Sequence, residues 1–191
     1  MPFTFTKCVS SLGIEIQGLY EIRPKVFGDA RGYFFECYSE RDFFAAGLTM
    51  KFVQDNQSMS SKGVLRGLHF QTKHPQGKLV RAISGRVYDV AVDLRNSSPS
   101  FGMYYGTILD AEKQNQFYIP EGFAHGFYVL SDTAVFTYKC TDFYHPEDEG
   151  GLMWNDAEIN IDWKLPPDAP PPLLSEKDMR HPAFDRGKGY F

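Results

Sequence analysis

Residues 78–95 read KLVRAISGRVYDVAVDLR, two runs of strand-forming residues around Ser84-Gly85. A glycine in a two-residue loop supplies the positive φ that tight hairpins require, so the stretch predicts a hairpin with strands over 78–83 and 86–95. In the second run Tyr88, Val90, Val92 and Leu94 share one face, while Asp89, Asp93 and Arg95 fall largely on the other. That is the period of two expected of a strand. The same pattern continues outward, with turn residues recurring roughly every eight to twelve positions. Strands are predicted over 18–27, 33–38, 51–59, 64–71, 104–110, 116–119, 127–130 and 134–141. Pro24 marks the first of these as an edge or a bulge. Ser39 and Asp42 form a capping box ahead of a short helix over 41–46, which Gly47 can stop. Residues 166–172 are a proline-rich extended connector, and Ser175 opens a last short helix. The expectation is an all-β jelly-roll barrel or sandwich with a few short helices.

Composition narrows the setting. A chain of 191 residues fits one domain, 1–191, and can bury a core without metal or disulfide staples. The formal charge of −4 gives no reason to expect nucleic-acid binding. Cys8, Cys37 and Cys140 are widely spaced and form no CxxC pair. They imply reduced thiols in the cytoplasm and no zinc ribbon. No secretory leader pattern opens the chain, and no apolar run approaches the roughly 18 residues of a membrane span. Aromatic residues make up 16%, which suits a β-rich core and the stacking of planar ligands.

Against this acidic background, no Asp or Glu occurs from Asn56 through Tyr88. The same window carries Lys62, Arg66, Lys73, Lys78, Arg81 and Arg86, with His69 inside the run KGVLRGLHFQ (62–71). A lone histidine in an apolar strand is commonly just a hydrogen-bonded core residue. The charge pattern favours a pocket for an anion. Strand parity puts Leu65, Gly67, His69 and Gln71 on one face and Arg66 on the other. For Arg66 and His69 to share a pocket the strand must bulge, and Gly67 is where a bulge is tolerated.

Other residues carry chemistry. The run PEGFAH (120–125) resembles the second histidine motif of cupin barrels, in which the equivalent of His125 often binds metal. The first cupin motif needs an HxH pair, and here Gln71 stands two residues after His69. Two distant histidines without nearby carboxylates fall short of an open catalytic metal site, so no metal and no cofactor are expected. Tyr138 shares a face with Ala134, Phe136 and Cys140, which directs its phenol into the barrel as a hydrogen-bonding group or a proton donor. Asp178 completes a capping box with Ser175, which by itself accounts for a carboxylate there.

Taken together these segments resemble the dTDP-4-dehydrorhamnose 3,5-epimerase family of cupin-like nucleotide-sugar enzymes. The matching runs are VFGDARGYFFE (26–36), FVQDN (52–56), SSKGVLRGLHFQ (60–71), GKLVR (77–81), VYDVAVDLR (87–95), IPEGFAHGF (119–127), Tyr138-Lys139, GGLMWND (150–156) and LSEKD (174–178). They occur in family order from about Ile22 to Asp178. The first twenty or so residues and the tail after Pro182 lie outside the resemblance, and the tail is expected at the surface.

The resemblance implies epimerisation at C3 and C5 of a thymidine-diphosphate 4-keto-6-deoxy sugar through an enolate, without cofactor. It implies His69 as base, Asp178 as its orienting partner, Tyr138 as the acid on the opposite face, and Lys78 at the enolate oxygen. Arg66 suits diphosphate recognition. Arg31, Glu36, Gln54, Asp55, Asn56, His125, Glu149 and Lys177 take substrate-binding positions by family match. The family also implies a homodimer, with Arg31 and Glu36 reaching a neighbour's site. The alternatives are a mono-epimerase acting at C3 or C5 only, a metal-dependent cupin oxygenase, and a sugar-nucleotide binding module without catalysis.

Overall fold

The computed structural model describes residues 2–191. It is a cupin-like jelly roll of antiparallel sheets. In chain order the elements are β1 (Phe3–Val9), β2 (Glu15–Pro24), β3 (Phe27–Asp29), β4 (Gly32–Phe34), α1 (Glu40–Ala45), β5 (Gln54–Ser61) and β6 (Leu65–Gln71). There follow β7 (Lys78–Ser84), β8 (Arg86–Asp93), β9 (Tyr104–Asp110), β10 (Gln116–Ile119), β11 (Phe123–Val129), β12 (Thr133–Cys140) and β13 (Glu149–Gly151). One sheet runs β1-β2-β10-β7-β12-β5, the other β13-β6-β11-β8-β9, and β3 with β4 makes a separate hairpin. Among the described residues no helix is long and apolar enough to cross a membrane.

The predicted hairpin at 78–95 is corrected. β7 lies between β10 and β12, whereas β8 lies between β11 and β9, so Ser84-Gly85 is a corner between the two sheets. Gly85 has φ +73°, and a Cβ there would stand 2.1 Å from the Thr133 carbonyl. The positive φ was read correctly, but local alternation cannot distinguish a corner from a hairpin.

The apolar layers follow from the period of two. Val80, Ala82, Phe117 and Phe136 of the first sheet meet Val87, Ala91, Phe127 and Val129 of the second to form the inner core. The other face of β8, Tyr88, Val90 and Val92, packs outward against Leu152, Trp163, Phe184 and Tyr190. The tail is therefore no loose surface segment: Phe184 and Tyr190 are buried and stack with centroids 5.7 Å apart. A third cluster joins Phe43 of α1 to Phe3, Ile22, Leu79 and Tyr118 on the outside of the first sheet.

Other expectations are refined. The Ser39 cap forms, its hydroxyl accepting from Asp42 N at 3.4 Å. β1 went unread, and β2 pairs on both sides, so Pro24 ends a strand and marks no edge. The irregularity of β2 falls opposite Lys7 and Val9, near Gly18. Residues 166–172 form no strand, and the expected helix after Ser175 is a single 3-10 turn, Asp178–Arg180.

Candidate active site

β6 sets the site. Opposite β11, His69 aligns with His125, and Arg66 aligns with Phe127, so β6 carries one extra residue between them. This is the expected bulge at Gly67. Gly67 has φ +123°, and a Cβ on it would lie 2.6 Å from Gly126 Cα. The extra residue shifts the side-chain phase: Leu65, Leu68 and Phe70 pack into the outer layer, while Arg66, His69 and Gln71 line the cavity. That phase shift overturns the unbulged parity and joins a guanidinium to an imidazole.

The cavity encloses about 320 Å³ between the sheets. His69, Arg66 and His125 come from the β13-β6-β11-β8-β9 sheet, and Tyr138, Lys78, Gln54, Asn56 and Ser58 from the other. His69 and Tyr138 therefore stand on opposite walls. Alternation along β5 points Gln54, Asn56 and Ser58 inward. Asp55 lies on the other face, where its carboxylate takes the Lys139 ammonium at 3.0 Å.

Asp178 reaches His69 through the connector before it. Leu173 forms a parallel bridge with Val64, just ahead of β6, its N–H donating to Gly63 O at 2.8 Å and its carbonyl accepting from Leu65 N at 3.0 Å. Ser175 then anchors the entry to the 3-10 turn, whose N-cap position is Lys177, with Asp178 N donating to the serine Oγ at 3.1 Å. Asp178 Oδ2 accepts from the Ser175 hydroxyl at 2.8 Å, while Oδ1 accepts from His69 Nε2 at 2.5 Å. Anchoring and orientation use different oxygens of one carboxylate. Burial pushes the Asp178 carboxyl up, but the bonds from His69 and Ser175 and the histidine charge outweigh it and hold it below its ordinary value. An ionised Asp178 keeps the proton on His69 Nε2 and leaves Nδ1 as the basic nitrogen.

Burial, with Cys140 close by, pushes the Tyr138 hydroxyl up, against the opposing charge of Arg66. It stays protonated, as a donor must. Arg66 Nε donates to Ser60 Oγ at 3.0 Å. Burial lowers the Lys78 ammonium, while Cys140, Asp89 and Glu149 pull it back up.

The acid-free window does not make an acid-free pocket. Asp89, one residue past it, is fully buried and receives His125 Nε2 at 3.0 Å on both oxygens. Burial raises its carboxyl, opposed by His125 and Lys78. Glu149 also lines the cavity, bonded to Tyr144 at 2.5 Å and paired with Lys177. Both histidines thus have a carboxylate partner: Asp178 beside His69, as the resemblance implied, and Asp89 beside His125, which the motif alone did not suggest. Asp89 was missed, although a carboxylate inside the apolar run VYDVAVDL was a visible signal. Ser58, Gln76 and Tyr144 were missed as well. Arg31 and Glu36 are exposed on and just after the β3–β4 hairpin and line no part of this cavity; Arg31 is engaged with Asp29 at 2.5 Å.

The donors at the usual cupin metal position do not fit one. The Gln71 amide is spent on His74 O, Phe143 O and His145 N, and His125 is committed to Asp89.

Fold and site define a cupin-like jelly roll in which a histidine–aspartate dyad and a protonated tyrosine face one another, an arrangement able to add and remove protons on two faces of a ligand. The family model for dTDP-4-dehydrorhamnose 3,5-epimerase matches residues 13–186. The chain is 59% identical over 172 residues to the dTDP-4-dehydrorhamnose 3,5-epimerase of Pseudomonas aeruginosa, covering 90% of this chain and 93% of that one. The crystal structure of the Elizabethkingia anophelis enzyme of that name superposes with a TM-score of 0.89 at 52% identity, covering all of both chains. A 3,5-epimerase from Legionella pneumophila, solved in complex with dTDP-4-keto-L-rhamnose, gives 0.86 at 47% identity over 95% of this chain and 92% of that one. This chain belongs to the dTDP-4-dehydrorhamnose 3,5-epimerase family, whose members are isomerases.

Proposed function

We propose that the protein epimerises C3 and C5 of a dTDP-4-keto-6-deoxy sugar in dTDP-L-rhamnose biosynthesis. The observation that carries this reading is the placement of the His69–Asp178 dyad and Tyr138 on opposite walls of one cavity. The 4-keto group acidifies the hydrogens on both neighbouring carbons. His69 Nδ1 takes a proton from one face, and Asp178 stabilises the imidazolium that results. The electron pair moves into the carbonyl, and Lys78 supplies positive charge to the enolate oxygen. Tyr138 delivers a proton from the other face, which inverts the carbon. Arg66 holds the diphosphate, because its planar fork donates to two oxygens at once. Gln54, Asn56, His125, Glu149 and Lys177 bind the remainder of the substrate.

The exposed hairpin residues act elsewhere. Arg31 and Glu36 reach the cavity of a second copy in a homodimer, and Asp55 contacts substrate only if Lys139 releases it. The free cysteines suit the cytoplasm.

The test is proton NMR of the 4-keto-6-deoxyglucose nucleotide incubated with the protein in deuterated water. Deuterium enters at both C3 and C5 under this reading. Entry at one carbon alone identifies a mono-epimerase, and no entry at either sinks the proposal.

A further inference from the structure

We propose that His69, Asp178 and His181 form a site for a divalent transition-metal ion, zinc above all, that captures the base and arrests turnover. His181 follows the 3-10 turn that carries Asp178. Its side chain is only 9% exposed, and its Nε2 has no hydrogen-bond partner among the described residues. A buried imidazole nitrogen left unpaired is costly and calls for an explanation. This one stands 3.6 Å from Asp178 Oδ1, the same oxygen that His69 Nε2 approaches at 2.5 Å.

The His181 ring is held in place. It meets His69 edge-on with centroids 5.5 Å apart. It also fills the space in front of Gly151, where a Cβ would fall 2.3 Å from the ring. The ligand atoms of His69, Asp178 and His181 all lie within 4.8 Å of one another. Bonds of about 2.0–2.1 Å to a tetrahedral ion place its ligands roughly 3.4 Å apart. The shortest separation must therefore open and the widest close. Two imidazoles and one carboxylate are the three protein ligands of an open zinc site, and they suit zinc, cobalt or copper over magnesium or calcium. Glu149 stays outside the set, held by Lys177 and Tyr144.

Coordination through Nε2 moves the single proton of the neutral His69 ring onto Nδ1, so the nitrogen that would act as base is protonated. The ion then occupies Nε2, and Asp178 no longer serves the imidazolium. Only this consequence for turnover rests on His69 being the base; the site itself rests on geometry.

The experiment titrates cobalt(II), read by its visible absorption, and zinc(II), read by calorimetry, into the metal-free protein without substrate. One equivalent is expected. His181→Gln, which keeps much of the ring's volume, should weaken binding by at least the ten-fold that loss of even an outer-shell partner costs. His69→Ala should lower it further, and thermal melts check that both variants fold. Zinc should also stop deuterium exchange in the wild type, reversibly on adding chelator, and do so far less in His181→Gln. No binding, or binding unchanged by His181→Gln, overturns the site. Binding that depends on His181 in a protein showing no exchange even when metal-free leaves the site standing and sinks the epimerase reading.

Discussion

His69 Nε2 donates to Asp178 Oδ1 across 109 residues of sequence, at 2.5 Å, while the other oxygen of the same carboxylate accepts from Ser175. Asp178→Asn should keep the Ser175 contact and lose the charge. Turnover should fall by roughly 10²- to 10⁴-fold with little change in KM, because the carboxylate matters most when the imidazolium forms. An equal rise in KM would instead assign Asp178 to substrate binding.

The same pair makes a pH prediction. Asp178 has a folded-state pKa below its ordinary 3.8, so its ionised form stabilises the fold. That contribution is fully present above about pH 3.8 and is lost as pH falls through the lowered native value. Urea melts between pH 2 and 6 should show a steeper acid loss for wild type than for Asp178→Asn. Parallel curves would mean that the dyad adds no pH-dependent stability.

His69→Ala and Tyr138→Phe each remove one end of the proton path without disturbing the inner core. Each should lower turnover by about 10²- to 10⁴-fold. Tyr138→Phe should still exchange the proton that His69 removes, since abstraction precedes donation. Tyr138→Phe that inverts the carbon at the wild-type rate would remove the tyrosine from the mechanism.

How far the site was legible depends on the range of each interaction. The glycine in LRGLH already marked the bulge, whereas the family match grouped Asp55 with Gln54 and Asn56, and only the alternation of β5 in the structure sets it apart. The corner at Ser84-Gly85 was misread because a tight turn with positive φ looks the same whether its flanking strands pair or part. Burial of the tail was invisible because Phe184 and Tyr190 carry no period, and the surface they cover, the outer face of β8, is built nearly a hundred residues earlier. The Asp178 contact with Ser175 is a four-residue signal and was seen directly. Its bond to His69 depends on Leu173 docking against β6, a tertiary contact that only the family resemblance anticipated. His181 carried no local signal at all.

Gly67 is a test of that bulge. An added methyl would meet Gly126 backbone at 2.6 Å and impose a side chain at φ +123°. Gly67→Ala should cost about 1–3 kcal/mol of stability from backbone strain alone. Turnover and KM should worsen together, since rotating β6 separates Arg66 from His69. A variant with a wild-type melt and wild-type KM would show that the strand absorbs the methyl without losing its phase.

The β3–β4 hairpin supplies the last test. Tyr33 and Phe34 are 64% and 68% exposed and Phe27 is 51% exposed, an apolar patch beside the charged tip at Arg31. Patches of this kind mark interaction surfaces, and a homodimer would bury two of them by symmetry. Sedimentation should give a dimer, and the double variant Tyr33→Ser, Phe34→Ser should shift it toward monomer. If Arg31 serves the neighbouring cavity, a dimer of one Arg31→Ala chain and one His69→Ala chain holds one complete site and one doubly defective site. Random mixing then restores about a quarter of the wild-type sites, because half the dimers are mixed and each has one of two sites intact. If Arg31 served its own chain, every site in the mixture would be defective and activity would stay at the level of the separate variants.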